Sequence, residues 1–483
     1  MNRISKNNSF FILFLIIFIT FIFAGENIQA KEISLEEALN WGIENNSSIK
    51  EIKDSIETIE RSLNLIDTEY GFKTQLSANP IIAGGFEEPT DDTSNGVDGE
   101  NTDSESSSTS SKISMKTTKL FPNGIFLQSE ISLKEEDLFD LEKLSEGPTS
   151  TFSATKSLYP VLPLETEQNK ILTSNDLLKA RENLTWQQES KKIEFLESYF
   201  NLLRLQEKLS LAEINFQYAQ DDLNKVIKKI EIGEAGERQN IEAKIALKKA
   251  EINFLQAQNT FFQQKNGWYL NLDLPKETEV LLVEDSPFLE EIVKWVDSLE
   301  FNFKEEEFTE LAVENYYKIK NNLLDQDSAQ KEAEWNLTNN KPQVDLFGAY
   351  SSKDNTWGVG VELSYDIFDG GKQKIDDEGY QVKLGNSRDD YLQIVSELKL
   401  ELSVLINQYE INSLNLEEKL MSCEKAKLEE ESFQVQLKQG LISDSEFQYK
   451  VLDWQESEID LKSAKEEILI NKLRIAHFLG IRK

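Results

Sequence analysis

The chain gives chemistry few side chains to work with. Its 483 residues include one His and one Cys, so a disulfide framework and any zinc site built on several thiolates or imidazoles are excluded. His477 lies in the apolar ending Ile475-Ala476-His477-Phe478-Leu479-Gly480 and reads as a packed residue. Cys423 falls on a helical seam and reads as core. Gly370-Gly371 stands before a helix, as phosphate-cradling glycines do, but without a flanking fingerprint. Asp and Glu number 87 against 52 Lys and Arg, a net charge of -35. Carboxylate pairs therefore arise by abundance and give general acid-base catalysis no specific support. So acidic a chain will not track phosphate backbones, which argues against nucleic acid as a partner. No catalytic residue, metal ligand or cofactor is expected.

Two short segments remain. Ile232-Gly233-Glu234-Ala235-Gly236-Glu237-Arg238 and Gln439-Gly440-Leu441-Ile442-Ser443-Asp444-Ser445-Glu446 each interrupt a long helical pattern. Gly233, Gly236 and Gly440 read as turn residues. Asp444 and Glu446 read as helix caps, since acids favour a first turn.

The helices that carry these breaks are long. Roughly seventy helical residues at about 1.5 Å each make a rod of about 100 Å, which must be held by neighbours along its length. Leu209, Ala212, Phe216, Ala219, Leu223, Val226 and Ile230 supply a seam with alternating spacings of three and four. In the returning helix Ile241, Ile245, Ile252, Leu255 and Phe262 keep that register, while Ala243, Ala246, Ala250 and Ala257 form a second, small-residue stripe. Two stripes suit a ring of helices, in which each rod touches a neighbour on either side. Leu402, Leu405, Tyr409, Leu416, Cys423, Ala426, Phe433 and Leu437 repeat the seam later, interrupted at Asn412, Lys419 and Glu430.

The layout occurs twice. Residues 1–30 read as a signal peptide, with Arg3 and Lys6 before an apolar core over 10–23 and a cleavage site after Ala30. A first repeat, 31–266, holds strands at about 72–86, 113–121, 125–133 and 151–160, a long helix at about 164–233 and a helix at 239–266. A connecting segment follows at 267–305. The second repeat, 306–483, holds strands at about 343–351 and 357–367, a long helix at about 372–439 and a helix at 443–479. Once residues 1–30 are removed no long apolar run remains, so a membrane crossing would need a closed β-barrel. The strand lengths fit an outer membrane crossed at a tilt. In the third strand Phe126, Ser129 and 131–133 alternate with Gln128, Glu130 and Ser132, with one slip of phase. Aromatic residues collect near strand ends (Phe72, Phe86, Phe121, Phe152, Tyr159, Phe347, Tyr350, Trp357, Tyr365, Phe368), as an interfacial girdle requires. The acidic segment 87–111 and the segment 135–149 form loops on one side, and Pro122-Asn123-Gly124 a tight turn on the other. Six strands per chain cannot enclose a wide lumen, whereas three chains would supply about eighteen.

Several of these features together resemble the TolC-type outer membrane efflux protein family. They are Ile33-Ser34-Leu35-Glu36-Glu37-Ala38-Leu39 with Glu44-Asn45-Asn46, Phe368-Asp369-Gly370-Gly371 before the long helix, the Gly440-Leu441-Ile442-Ser443 break and the duplicated layout. The resemblance covers essentially all of the chain beyond residue 30. It implies a mainly α protein with membrane strands: a homotrimer whose helices form an α-barrel tunnel continuous with a shared transmembrane β-barrel, with 267–305 as an equatorial segment. It further implies the outer membrane, with a large periplasmic portion, and the role of exit duct in a tripartite efflux or type I secretion system. The partners implied are a second and third copy, a periplasmic membrane-fusion adaptor, an inner-membrane transporter and outer-membrane lipid. Glu446 stands where the family has the first acid of its constriction, Tyr449 stands at the second, and Asp444 is close by. These three form the candidate gate, where a ring of Glu446 carboxylates would raise their own pKa values. Gly233, Gly236, Gly440, Leu441 and Ser443 become candidate adaptor contacts. The chain departs from the family in an extra hairpin around Pro122-Asn123-Gly124. It also has Leu158-Tyr159-Pro160-Val161-Leu162-Pro163 in place of a first Phe-Asp-Gly-Gly block. Two other readings stay open: a coiled-coil tether of the cell envelope, which would conduct nothing, and a surface-exposed binding protein presenting 87–111.

Overall fold

The computed structural model describes residues 31–78, 112–134, 148–275, 278–299 and 305–481. The expected signal peptide and the loop 87–111 lie outside the described residues. So do 135–147 of the second loop and the first strand beyond residue 78, including Phe86. Elements follow in the order β1 (Lys31–Ile33), α1 (Leu35–Asn45), α2 (Ser47–Thr68), β2 (Phe72–Ala78), β3 (Lys112–Leu120), β4 (Ile125–Lys134) and β5 (Thr149–Tyr159). Then come α3 (Glu165–Glu231), α4 (Glu237–Asn271), β6 (Thr278–Val280), α5 (Pro287–Asp297), α6 (Glu305–Asn315) and α7 (Tyr317–Asn339). The chain closes with β7 (Gln343–Ser351), β8 (Thr356–Ser364), α8 (Lys372–Lys438) and α9 (Asp444–Phe478). The duplication has a measure: α3 and α8 are both 67 residues long, and α4 and α9 are both 35. Among the described residues no helix is long and apolar enough to cross a membrane.

Two compact units are present. One contains the residues up to 55 with 180–321 and those from 392 on; the other contains 56–179 and 322–391.

The second unit holds one six-stranded antiparallel sheet in the order β2-β3-β4-β5-β7-β8, with β2 and β8 at its two edges. Residues paired across strands share a face. On one face Trp357, Val359, Val361 and Leu363 stand beside Tyr350, Gly348, Leu346 and Val344, and farther along Met115 stands beside Leu76 and Ile131. The opposite face pairs Lys116 with Glu130, Ser114 with Ser132, Thr118 with Gln128 and Asp345 with Glu362. The slip of phase read in the third strand is absent. β4 alternates regularly, with Leu127, Ser129, Ile131 and Leu133 on the apolar face and Phe126 on the polar one. Phe347 departs from the expected girdle too. It lies mid-strand on the polar face, covering Gly360 so closely that a Cβ there would sit 2.6 Å from its ring.

The first unit has its core where the sequence reading placed only a connector. Trp268, Leu272, Val280, Leu289, Ile292 and Val296, all from 267–305, pack with Leu35, Ala38 and Leu39 of α1 and Phe195, Tyr199 and Leu202 of α3. β1 and β6 pair in parallel. The fully buried Tyr199 donates its hydroxyl to the Val283 carbonyl at 2.9 Å and accepts the Val283 N–H at 2.9 Å. Trp268 Nε1 donates to the Phe195 carbonyl at 3.0 Å.

Four rods of this unit are linked in a row, α4–α3–α9–α8. Phe254 of α4 stacks on Phe216 of α3 at 5.9 Å. Tyr218 of α3 donates to Gln448 of α9 at 2.8 Å, and Lys208 pairs with Asp460 at 3.0 Å. Lys450 of α9 reaches Glu429 of α8 and lies 5.5 Å from the Phe433 ring. The seam residues of α3 and α8 read from the sequence are buried or half-buried. In α4 the two stripes divide otherwise than expected. Ala243, Leu247, Ala250, Phe254 and Ala257 turn inward, whereas Ile241, Ile245, Ile252, Leu255 and Phe262 are each at least half exposed. At the other end of the row, α8 exposes Val404, Ile411, Leu414, Met421, Leu428 and Val435 to the same degree.

Gly42 marks the tightest helix contact of the core. A Cβ there would come within 2.2 Å of Leu272 Cδ2 and 3.0 Å of Phe195 Cε2. Gly42→Ala is expected to cost about 1–3 kcal/mol through overpacking and to lower the thermal midpoint. Gly267→Ala, whose Cβ enters open space, should leave the midpoint unchanged or raise it.

Candidate functional site at the helical turns

The two helix breaks of the first unit are built alike. Gly233 and Gly440 take φ of +81° and +71°, the left-handed region that ends helices cheaply only with glycine. The next N–H reaches back five residues, from Glu234 to the Lys229 carbonyl at 2.8 Å and from Leu441 to the Gln436 carbonyl at 2.9 Å. Four residues past each glycine the chain restarts as a helix. Gly236 and Ser443 are the N-caps, both extended, so no backbone demand requires glycine at Gly236. Its N–H donates to Gln239 Oε1 at 3.0 Å. Leu441 is exposed beside the second turn.

Ser443 and Glu446 form a full capping box. Ser443 Oγ accepts the Glu446 N–H at 3.2 Å, and Glu446 Oε2 accepts the Ser443 N–H at 2.8 Å and its hydroxyl at 2.9 Å. The Ser443 backbone N–H, then its hydroxyl, hold the Glu446 carboxyl below the usual range. Within a single chain the pull is therefore downward; the rise expected of a three-fold ring belongs to an assembly. Asp444 opens the first turn. Tyr449 faces α3, half-buried, and donates to Asp222 Oδ2 at 3.3 Å. Burial first, and the Asp222 carboxylate second, push the Tyr449 phenol up to about 12. Asp222 also accepts the Ser445 hydroxyl and pairs with Lys225 at 3.1 Å, while Lys225 donates to Ser445 Oγ at 2.7 Å.

The structure thus gathers Gly440, Leu441, Ser443, Asp444, Glu446 and Tyr449 at one turn and Gly233 and Gly236 at the other. It adds a lock between α3 and α9 formed by Asp222, Lys225 and Ser445. Sequence reasoning missed Asp222 and Lys225 because their partner lies more than two hundred positions away, at no diagnostic spacing. No group of His, Cys, Asp and Glu among the described residues is arranged to hold a metal ion.

By sequence, no protein-family model and no curated protein matches the chain. By structure, the match extends over nearly the whole length. The CmeC outer membrane channel of Campylobacter jejuni aligns with a TM-score of 0.62 at 12% identity, covering 92% of this chain and 85% of that one. VceC, an outer membrane protein of Vibrio cholerae, gives 0.57 at 11% identity, over 92% and 96%. The open state of the MtrE outer membrane channel of Neisseria gonorrhoeae gives 0.53 at 13%, over 95% and 92%. The fold is that of the TolC-type outer membrane channels. At such identities the backbone arrangement is shared and the side chains are this chain's own. In this outer-membrane-factor fold, then, the capping box and the Asp222 lock rest on this chain's own side chains.

Removing the Ser443 hydroxyl should cost about 1 kcal/mol of cap stability. In Ser443→Ala, amide exchange at 444–447 is expected to quicken about fivefold, a change that hydrogen-exchange mass spectrometry reads directly.

Proposed function

We propose that this chain is the outer-membrane exit duct of a tripartite efflux or secretion system. Three copies close into one cylinder that conducts substrate passively from an inner-membrane pump. The observation that carries this reading is the sheet: mainly apolar on one face, mainly polar on the other, its five strand pairs ending in β2 and β8, which among the described residues are not paired with each other. Such a ribbon suits lipid outside and water inside only when its edges meet those of other copies. Three copies give about eighteen strands, enough for an aqueous lumen. Lys119, on the apolar face, fits the level of the lipid headgroups. Its ammonium donates to the Tyr70 carbonyl and lies 4.8 Å and 5.5 Å from the Phe72 and Phe121 rings.

The helical rods support the same closure. The row ends in α4 and α8, each carrying an unpartnered apolar stripe, so α4 of one copy would pack against α8 of the next in a heterologous ring. Asp444, Glu446 and Tyr449 would then stand near the narrow end, with Glu446 free to ring the axis once its cap opens. The turns at Gly233, Gly236, Gly440, Leu441 and Ser443 would face a periplasmic adaptor. The first 30 residues would be removed on export.

Register follows from the contacts across the row. Phe216 with Phe254, Lys208 with Asp460 and Lys450 with Glu429 fix the levels of neighbouring rods. They place Ile252 of α4 close to the level of Leu428 of α8. A chain carrying both Ile252→Cys and Leu428→Cys, with Cys423→Ser, should oxidise to a covalent trimer on denaturing gels, and each single variant should not. Efficient oxidation that stays within one chain, or none at all, would contradict the ring.

A further inference from the structure

Arg204 of α3 is the only buried charged residue among the described residues. It pairs with Glu207 of its own helix, with Glu284 of the strap between β6 and α5, and with Glu466 of α9 at 3.2 Å. Lys462 of α9 donates to Glu207 at 2.7 Å and to both oxygens of Glu284 at 3.1 Å. Two cations thus face three carboxylates in one shielded place, and Arg204 Nε has no hydrogen-bond partner.

The surplus falls on Glu466. Burial alone would push Glu284 up, but the bonds from Arg204 and Lys462 outweigh it and hold that carboxyl below its usual range. Glu466 goes the other way. Burial, aided by Glu284 and Glu207 and opposed by Arg204 and Lys462, raises it to about 7. Its other surroundings do not remove the imbalance. It borders a cavity of about 610 Å³ into which α5 presents Glu290, Lys294 and Asp297, α9 presents Lys465 and Lys472, and α8 presents Leu416. Lys294 is paired with Glu290 at 3.0 Å and Lys472 with Asp297 at 3.5 Å, while Lys465 is exposed to solvent that screens it.

We propose that Arg204, Glu284 and Glu466 form a proton-operated clasp, which tightens α3, α9 and the 281–286 strap when Glu466 takes up a proton and loosens them when it gives the proton away. Protonation leaves two cations against two carboxylates and spares Glu466 the cost of a largely shielded, half-compensated charge. The direction follows from linkage. The folded carboxyl holds its proton to higher pH than the free one, so its stabilisation is complete below the ordinary carboxyl range and is lost as pH rises through about 7. The strap feels this because Glu284 lies one residue beyond Val283, whose backbone is bonded to the buried Tyr199 hydroxyl. The clasp lies within the first unit and does not depend on the duct.

Hydrogen exchange of the full chain tests the clasp, with amides of the strap and of α9 followed from pH 5.5 to 8.5 and corrected for intrinsic exchange. Wild-type protection is expected to fall about tenfold or more across that range, since each pKa unit of difference is worth tenfold. Glu466→Gln, neutral throughout, should stay well protected at every pH. Glu284→Gln, which rebalances the cluster by removing a different carboxylate, should move the step to lower pH. Parallel profiles for wild type and Glu466→Gln would overturn the clasp, and so would a step unmoved in Glu284→Gln. A uniform loss of protection at all pH values would assign the cluster a purely structural role.

Discussion

An unpaired backbone group in hydrocarbon costs several kcal/mol, and that cost governs how this sheet can be used. Six strands place mainly apolar residues on one face, with Lys119 among them, and mainly charged or hydroxyl residues on the other, with Phe126 and Phe347 among them. The ribbon ends at β2 and β8. In water its outer face would be a large exposed apolar patch; in lipid its edges would be unsatisfied. Joining edges between copies resolves both. The helical row meets a softer version of the same constraint, since α4 and α8 carry apolar stripes that the described residues leave uncovered. In the proposed trimer, strand edges and rod stripes would each find their counterparts in the next copy.

Much of this was legible in the sequence because it rests on period. Heptad seams and glycine breaks depend on neighbours three, four or seven positions away, and the duplicated order of long helix, break and shorter helix follows from them. What stayed hidden depends on partners hundreds of positions away. The stripe of α4 could be seen, but not which stripe met α3; the protomer turns inward the one containing Ala250 and Phe254, while Ile245 and Ile252 wait outside. Phe347 carries an aromatic ring as a girdle residue would, and only its pairing with Gly360 reveals that it fills a gap on the polar face. The segment 267–305 lacks a long period, yet it supplies Trp268, Leu272 and Val296 to the core.

The candidate gate shows the same division. Ser443, Asp444 and Glu446 announce a helix start by type and spacing, and the capping box is present. Asp222, by contrast, gives no local signal, and its bonds to Ser445 and Tyr449 are what join α3 to α9 beside the turn. The structure shows Glu446 as a cap with its carboxyl held below the usual range; in the proposed trimer it would also ring the axis, which pushes the other way. Exchange between cap and ring would couple the opening of one helical turn to the charge on the axis.

Conductance tests the hollow cylinder most directly. Purified full-length protein in a planar bilayer should give small, cation-preferring steps, enlarged in Glu446→Ala. A preparation that inserts but passes no current in either form would contradict the account and favour a solid coiled-coil rod.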